Sequence, residues 1–93
     1  MQLARFLNNV FKTDGFILVD ANSKSYVIGT PKNKNPIKVK ILNKNLHYKL
    51  LFHPDLYFGE AYTDGEIIIE NGSLTDFLDL SLMNFGRGEI NFF

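Results

Sequence analysis

Apolar residues in the first dozen positions recur at helical spacing. Leu3, Phe6, Leu7, Val10 and Phe11 fall at i, i+3, i+4, i+7 and i+8, which predicts an amphipathic helix over residues 2–12. Lys12 suits the negative end of that helix and Asp14-Gly15 stops it. Residues 16–20 read as a strand apolar on both faces, and residues 25–30 as a second strand carrying Tyr26, Val27 and Ile28. The turn-forming string Ala21-Asn22-Ser23-Lys24 joins the two as an antiparallel hairpin. Residues 31–36, with Pro31, Pro36 and two asparagines, read as an exposed loop.

The second half of the pattern completes the fold. Ile37, Val39 and Ile41 alternate with Lys38 and Lys40, so this strand buries one face and wets a basic one. Asn43 or Asn45 caps a short helix that runs to about Phe52, and His53-Pro54-Asp55 breaks it. Residues 56–65, dense in aromatics and acids, predict one or two helical turns. Ile67, Ile68 and Ile69 predict a strand apolar on both faces and therefore central. Asn71-Gly72 turns the chain, and Ser73 with Asp76 three residues on is a reduced capping box for a last helix, apolar over much of its circumference. The order predicts one α+β domain over residues 1–93, with about four mainly antiparallel strands and helices on one face.

Composition narrows the chemistry. A chain of 93 residues with 45% hydrophobic content and nine Phe builds one modest core. There is no cysteine, which removes disulfides, zinc–thiolate sites and thiol nucleophiles. No stretch approaches the ~20 apolar residues of a membrane span, and the polar pair Asn8-Asn9 inside the first apolar pattern argues against a secretory signal. A cytoplasmic protein is the expectation. Net charge is zero but segregated, +7 over residues 1–49 and −7 over residues 50–93. Each half therefore presents a patch of one sign, or the charges simply solvate the surface.

Candidate sites are few. No glycine-rich loop follows a strand and opens a helix, since Gly86-Arg87-Gly88 comes after the last helix. His47 and His53 are six apart and do not share a helix face as metal ligands at i, i+4 would; a half-exposed helix residue for His47 and a turn residue for His53 are the simpler readings. Glu60, Asp64 and Glu66 are close enough for acid–base work, but surface carboxylates near helix ends explain them as well. Lys32, Lys34, Lys38, Lys40 and Lys44 raise nucleic-acid binding. No aromatic is interleaved among them and the whole chain is neutral, which disfavours it. A lysine-rich edge strand also deters sheet-to-sheet aggregation. The same lysines suit phospholipid headgroups, at about 1 kcal/mol per well-placed side chain. The aromatic run Phe52, Tyr57, Phe58 and Tyr62 reads first as core and second as the border of an apolar docking surface.

The string Pro54-Asp55-Leu56-Tyr57-Phe58-Gly59-Glu60-Ala61-Tyr62-Thr63-Asp64-Gly65, followed by a hydrophobic strand and Gly72-Ser73-Leu74-Thr75-Asp76-Phe77-Leu78, resembles the N-terminal domain of cyclopropane-fatty-acyl-phospholipid synthases, the mycolic acid cyclopropane synthase-like family. Members typically read Gly-Glu-(Ser or Ala)-Tyr-Met-Asp-Gly, so Thr63 is a departure. Gly15 before a strand, the Tyr26-to-Gly29 strand and the Ile-x-Val-x-Ile strand also fit. The resemblance implies a sterol-carrier-like fold and a non-catalytic role beside a C-terminal methyltransferase domain of the same protein. S-adenosylmethionine and every catalytic residue would belong to that domain, so this chain is expected to hold no cofactor, catalytic or metal residue. Gly59, Glu60, Tyr62, Asp64 and Gly65 are expected to form a rigid turn facing the catalytic domain. The lysines are expected at phospholipid headgroups, peripheral at the inner membrane face, with a homodimer left open. The alternatives are a free-standing lipid carrier and, third, a nucleic-acid-binding domain.

Overall fold

Alternation along four short strands decides which face of the sheet is buried. The computed structural model describes residues 2–85. In chain order these form α1 (Gln2–Val10), β1 (Gly15–Val19), β2 (Ser25–Gly29), β3 (Lys38–Ile41), α2 (Asn45–Phe52), α3 (Pro54–Thr63), β4 (Ile67–Glu70) and α4 (Leu74–Phe85). The fold is a small α+β domain with a four-stranded mixed sheet, order β2-β1-β3-β4. β1 pairs antiparallel with β2 and parallel with β3, while β3 pairs antiparallel with β4. Gly86-Arg87-Gly88 lies outside the described residues.

Phe16, Leu18, Ile28, Val39, Ile41 and Ile67 point to the helical side and are buried with Leu3, Leu46, Leu50, Phe58, Phe77 and Leu80. A row of rings ties the layers together. Phe16 meets Phe11 edge-on at 5.0 Å and Phe77 edge-on at 5.0 Å, and Phe77 stacks on Phe58 at 5.2 Å. Such pairs add about 0.5–1.5 kcal/mol each beyond area burial.

At the open end of the hairpin Gly15 faces Gly29. Gly29 has φ +68°, and a Cβ there would stand 2.7 Å from the Phe11 carbonyl, so neither bulk nor ordinary backbone geometry is tolerated. The loop from β2 passes beneath the start of β1 to reach β3. The Asp14 carboxylate holds it there, accepting from the N–H of Gly15 at 2.7 Å and of Lys32 at 3.0 Å. At α4 the capping box forms as read: the Ser73 N–H donates to Asp76 at 2.9 Å, and the Asp76 N–H to the Ser73 hydroxyl at 3.1 Å.

Three expectations need correction. β4 is an edge strand, not a central one; Ile67 is buried but Ile68 is 42% exposed on the far face. β3, in turn, is interior, so its lysines do not guard an edge. Residues 54–63 form a continuous helix rather than a turn or two. Pro54 ends α2 but occupies the first turn of α3, where its missing N–H costs nothing.

Candidate functional site

The string that carries the resemblance, residues 54–65, spans the whole of α3 and its exit. Gly59, Glu60 and Tyr62 stand on the helix, while Asp64 and Gly65 close it. The expected rigid turn is therefore a helix with a left-handed stop. Gly65, at φ +77°, donates to the Tyr62 carbonyl at 3.2 Å, and the Glu66 N–H reaches back to the Ala61 carbonyl at 2.8 Å. These two bonds are the paired closures of a Schellman motif, which accounts for Asp64-Gly65. Phe58 and Ala61 are the buried members of the string among the residues whose burial is described. Gly59, Glu60, Tyr62, Asp64 and Gly65 are all exposed, so they share one surface segment and none fills the core.

The five lysines do not converge. Lys32 and Lys34 are exposed in the loop before β3, and Lys44 is exposed beyond its other end. Lys38 and Lys40 stand together on the sheet face that the helices leave open. Strand register sets two rows there, Val27–Ile17–Lys38–Glu70 and Ser25–Val19–Lys40–Ile68. Lys40 pairs with Glu70 at 3.4 Å, a half-exposed bridge worth about 0–1 kcal/mol. This face is thus as apolar as it is basic, with Val27 60% exposed.

The aromatic run divides. Phe58 is core, Tyr57 is half-buried, and Tyr62 and Phe52 are exposed. Sequence reasoning missed two neighbours of Phe52, namely Tyr48 and Leu56, which also stand exposed. Their helical spacing was visible, but exposure depends on which side of α2 meets the sheet.

The remaining candidates have structural duties. His47 is half-buried and its Nε2 accepts the Ala21 N–H at 3.3 Å. Buried Asp20 organises the β1–β2 turn, accepting from the N–H of Asn22 and Lys24, each at 2.9 Å, and from the Tyr26 hydroxyl at 3.2 Å. Burial works to raise its carboxyl, yet those donors and nearby His47 outweigh it and hold the group below the ordinary carboxylate range. Burial also holds the His47 imidazolium down, against the pull of Asp20 and with the push of Lys44. Glu66 accepts from the Asn43 amide at 3.2 Å, which ties α2's entry to β4. Among the described residues no three His, Asp or Glu side chains gather as a metal site. An internal cavity of about 50 Å³ lies between the sheet and the helices, lined by Leu3, Phe11, Leu18, Phe58 and Phe77 among others. Sites for drug-sized ligands are typically about 300–1,000 Å³. No described helix is long and apolar enough to cross a membrane.

Comparison with protein-family models, with curated proteins and with solved structures finds no match to this chain.

Proposed function

We propose that this chain is a non-catalytic accessory domain of an S-adenosylmethionine-dependent enzyme of the cyclopropane-fatty-acyl-phospholipid synthase type. Its role is to help hold the catalytic domain at phospholipid, peripherally on the cytoplasmic membrane face. The observation that carries this reading is the exposure of Gly59, Glu60, Tyr62, Asp64 and Gly65. Packing dictates the identity of buried residues such as Ala61, and helix termination accounts for Gly65. Neither calls for a carboxylate at 60 or a phenol at 62. A likeness that includes exposed side chains the fold does not need, beside core residues such as Phe58 and Phe77, supports a shared contact surface as well as a shared core.

The open sheet face gives the reading a second support. Exposed Val27 and Ile68 beside half-buried Ile17 and Val19 form a surface that suits cover by another protein layer. The free-standing carrier draws little support from the apolar pocket between sheet and helices, which holds only about 50 Å³. Nucleic-acid binding draws little from five lysines spread over a loop, a strand and a helix entrance.

Sequencing the native transcript past the codon for Phe93 tests the proposal. A frame that continues into a strand followed by a glycine-rich cofactor loop is the expected result. A stop codon directly after Phe93 would overturn the accessory role and move the carrier reading to the front.

A further inference from the structure

Two steric demands set the turn between β4 and α4. Asn71 sits left-handed at φ +61°, a conformation that asparagine adopts more readily than most residues with a Cβ. A Cβ on Gly72 would stand 2.9 Å from the Ile37 Cγ1, so the next position favours glycine. Both residues are exposed. The pair that the fold selects is also the one in which an asparagine amide is chemically least durable. Glycine places no side chain in the way of its own nitrogen when that nitrogen attacks the preceding side-chain carbonyl carbon.

Competing asparagines are better protected. Asn22 is exposed, but the Ser23 N–H after it donates to the Asp20 carbonyl at 2.9 Å, and the serine side chain adds bulk. Asn33 is exposed too, yet Lys34 brings a side chain to the attacking nitrogen, and Asn35 precedes Pro36, which has no N–H to give up. The side-chain carbonyl of Asn8 accepts the Gly29 N–H at 2.8 Å and that of Asn84 accepts the Lys12 N–H at 2.7 Å, which fixes the group that would be attacked. The Asn71 amide has a looser hold. Its Nδ2 donates to the Pro36 carbonyl at 3.3 Å, and among the described residues nothing accepts the Gly72 N–H.

We infer that Asn71 is the deamidation site of this chain and that its conversion lengthens the turn ahead of α4. The Gly72 nitrogen gives up its proton and bonds to the Asn71 Cγ. The Cγ–Nδ2 bond breaks, and the amide nitrogen leaves as ammonia with that proton. The succinimide ring then takes up one solvent water. Opening at Cγ yields aspartate; opening at the Asn71 main-chain carbonyl yields β-aspartate, with an extra methylene in the backbone. Both products lose the donor to the Pro36 carbonyl. The β-aspartyl form also moves Gly72 off Ile37 and shifts Ser73, whose N–H and hydroxyl cap α4 with Asp76. The chemistry needs no partner or second domain, so it stands apart from the accessory role.

The full chain is aged in warm, mildly alkaline buffer, in mildly acidic buffer and in alkaline urea, then digested and sequenced by mass spectrometry. The expected result is an amide-to-acid mass gain at Asn71 ahead of every other asparagine in the folded chain. It should run faster in the alkaline arm, because the Gly72 nitrogen must lose its proton, and an isoaspartyl methyltransferase should label the β-aspartyl product. The site is overturned if Asn71 stays an amide in the folded chain while converting in urea, or if Asn22 or Asn33 converts first. For the turn, the β-aspartyl fraction is separated by chromatography and unfolded in urea beside the parent and Asn71→Asp. That variant carries the lost amide and the new charge without the extra methylene. The β-aspartyl fraction is expected to have the lowest midpoint of the three. A midpoint equal to that of Asn71→Asp would overturn the lengthened turn.

Discussion

Gly29 and Gly59 occupy opposite kinds of position, and alanine tells them apart. Gly29→Ala forces a left-handed residue and a Cβ against the Phe11 carbonyl, and is expected to cost about 1–3 kcal/mol. Gly59 stands exposed inside α3, with nothing within 4 Å of where its Cβ would be. Gly59→Ala is expected to add about 0.5–1 kcal/mol, read as a higher urea midpoint with unchanged slope. Equal effects of the two changes would contradict the backbone described here. Sequence indicated the first glycine through its place at a strand end. It misjudged the second, because Pro54 and Gly59 five residues apart look like punctuation, and the rest of α3 had to override them. A second residue-scale prediction concerns pH. Asp20 is held low, so its contribution is present above its unfolded pKa and is lost as pH falls through its folded value. His47 is also held low, so protonation favours the unfolded chain as pH drops below the ordinary value of 6.5. Both act in the same direction, His47 as pH drops below 6.5 and Asp20 as it drops below 3.8, so the melting temperature is expected to fall in two stages between about pH 7 and about pH 3. His47→Gln keeps an acceptor near the Ala21 N–H and should flatten the upper part of that fall, leaving the Asp20 part at lower pH. A variant whose profile follows the parent throughout would acquit the imidazole.

Elements were legible wherever their signals were local. The α1 stripe, the hairpin turn at Asp20–Lys24, the Lys38/Lys40 alternation and the Ser73–Asp76 box each sit within a few residues, and each formed. Strand order was not local. Three consecutive isoleucines pointed to a centre, yet β4 is an edge whose outer face lacks cover among the described residues. The other edge is managed by a side chain. From α1, the Asn8 amide accepts the Gly29 N–H at 2.8 Å and donates to the Val27 carbonyl at 3.4 Å. That arrangement mimics a strand pairing with β2's outer rim. A contact spanning about twenty residues leaves no mark in a hydrophobic pattern, so sequence showed only a polar interruption. Asn8→Leu opens these groups for strand addition. The expected outcome is lower stability, by about 1–3 kcal/mol, together with concentration-dependent light scattering that the parent chain does not show. Loss of stability without any self-association would mean that Asn8 supports α1 rather than guarding the edge.

At the scale of the whole molecule, the opposite charges of the two halves suggest mutual attraction, and the structure gives that attraction little to work through. Among the described residues one ion pair joins the halves, Lys40 with Glu70, and it is half-exposed. The other charges mostly stand in water, where salt screens them over about 8–10 Å. Stability should therefore come from the Phe11–Phe16–Phe77–Phe58 row and the aliphatic residues around it rather than from charge. Raising sodium chloride from low to near-molar concentration is expected to change folding stability by less than about 1 kcal/mol, a shift of a few degrees at most for a domain this size. Phe77→Ala serves as the converse control. It removes a ring that is 6% exposed and touches both Phe16 and Phe58, and should cost about 3–5 kcal/mol with no dependence on salt. If salt instead melted the fold, charge would be holding the halves together, and the stabilising role assigned to the phenylalanine row would pass to ion pairs such as Lys40 with Glu70.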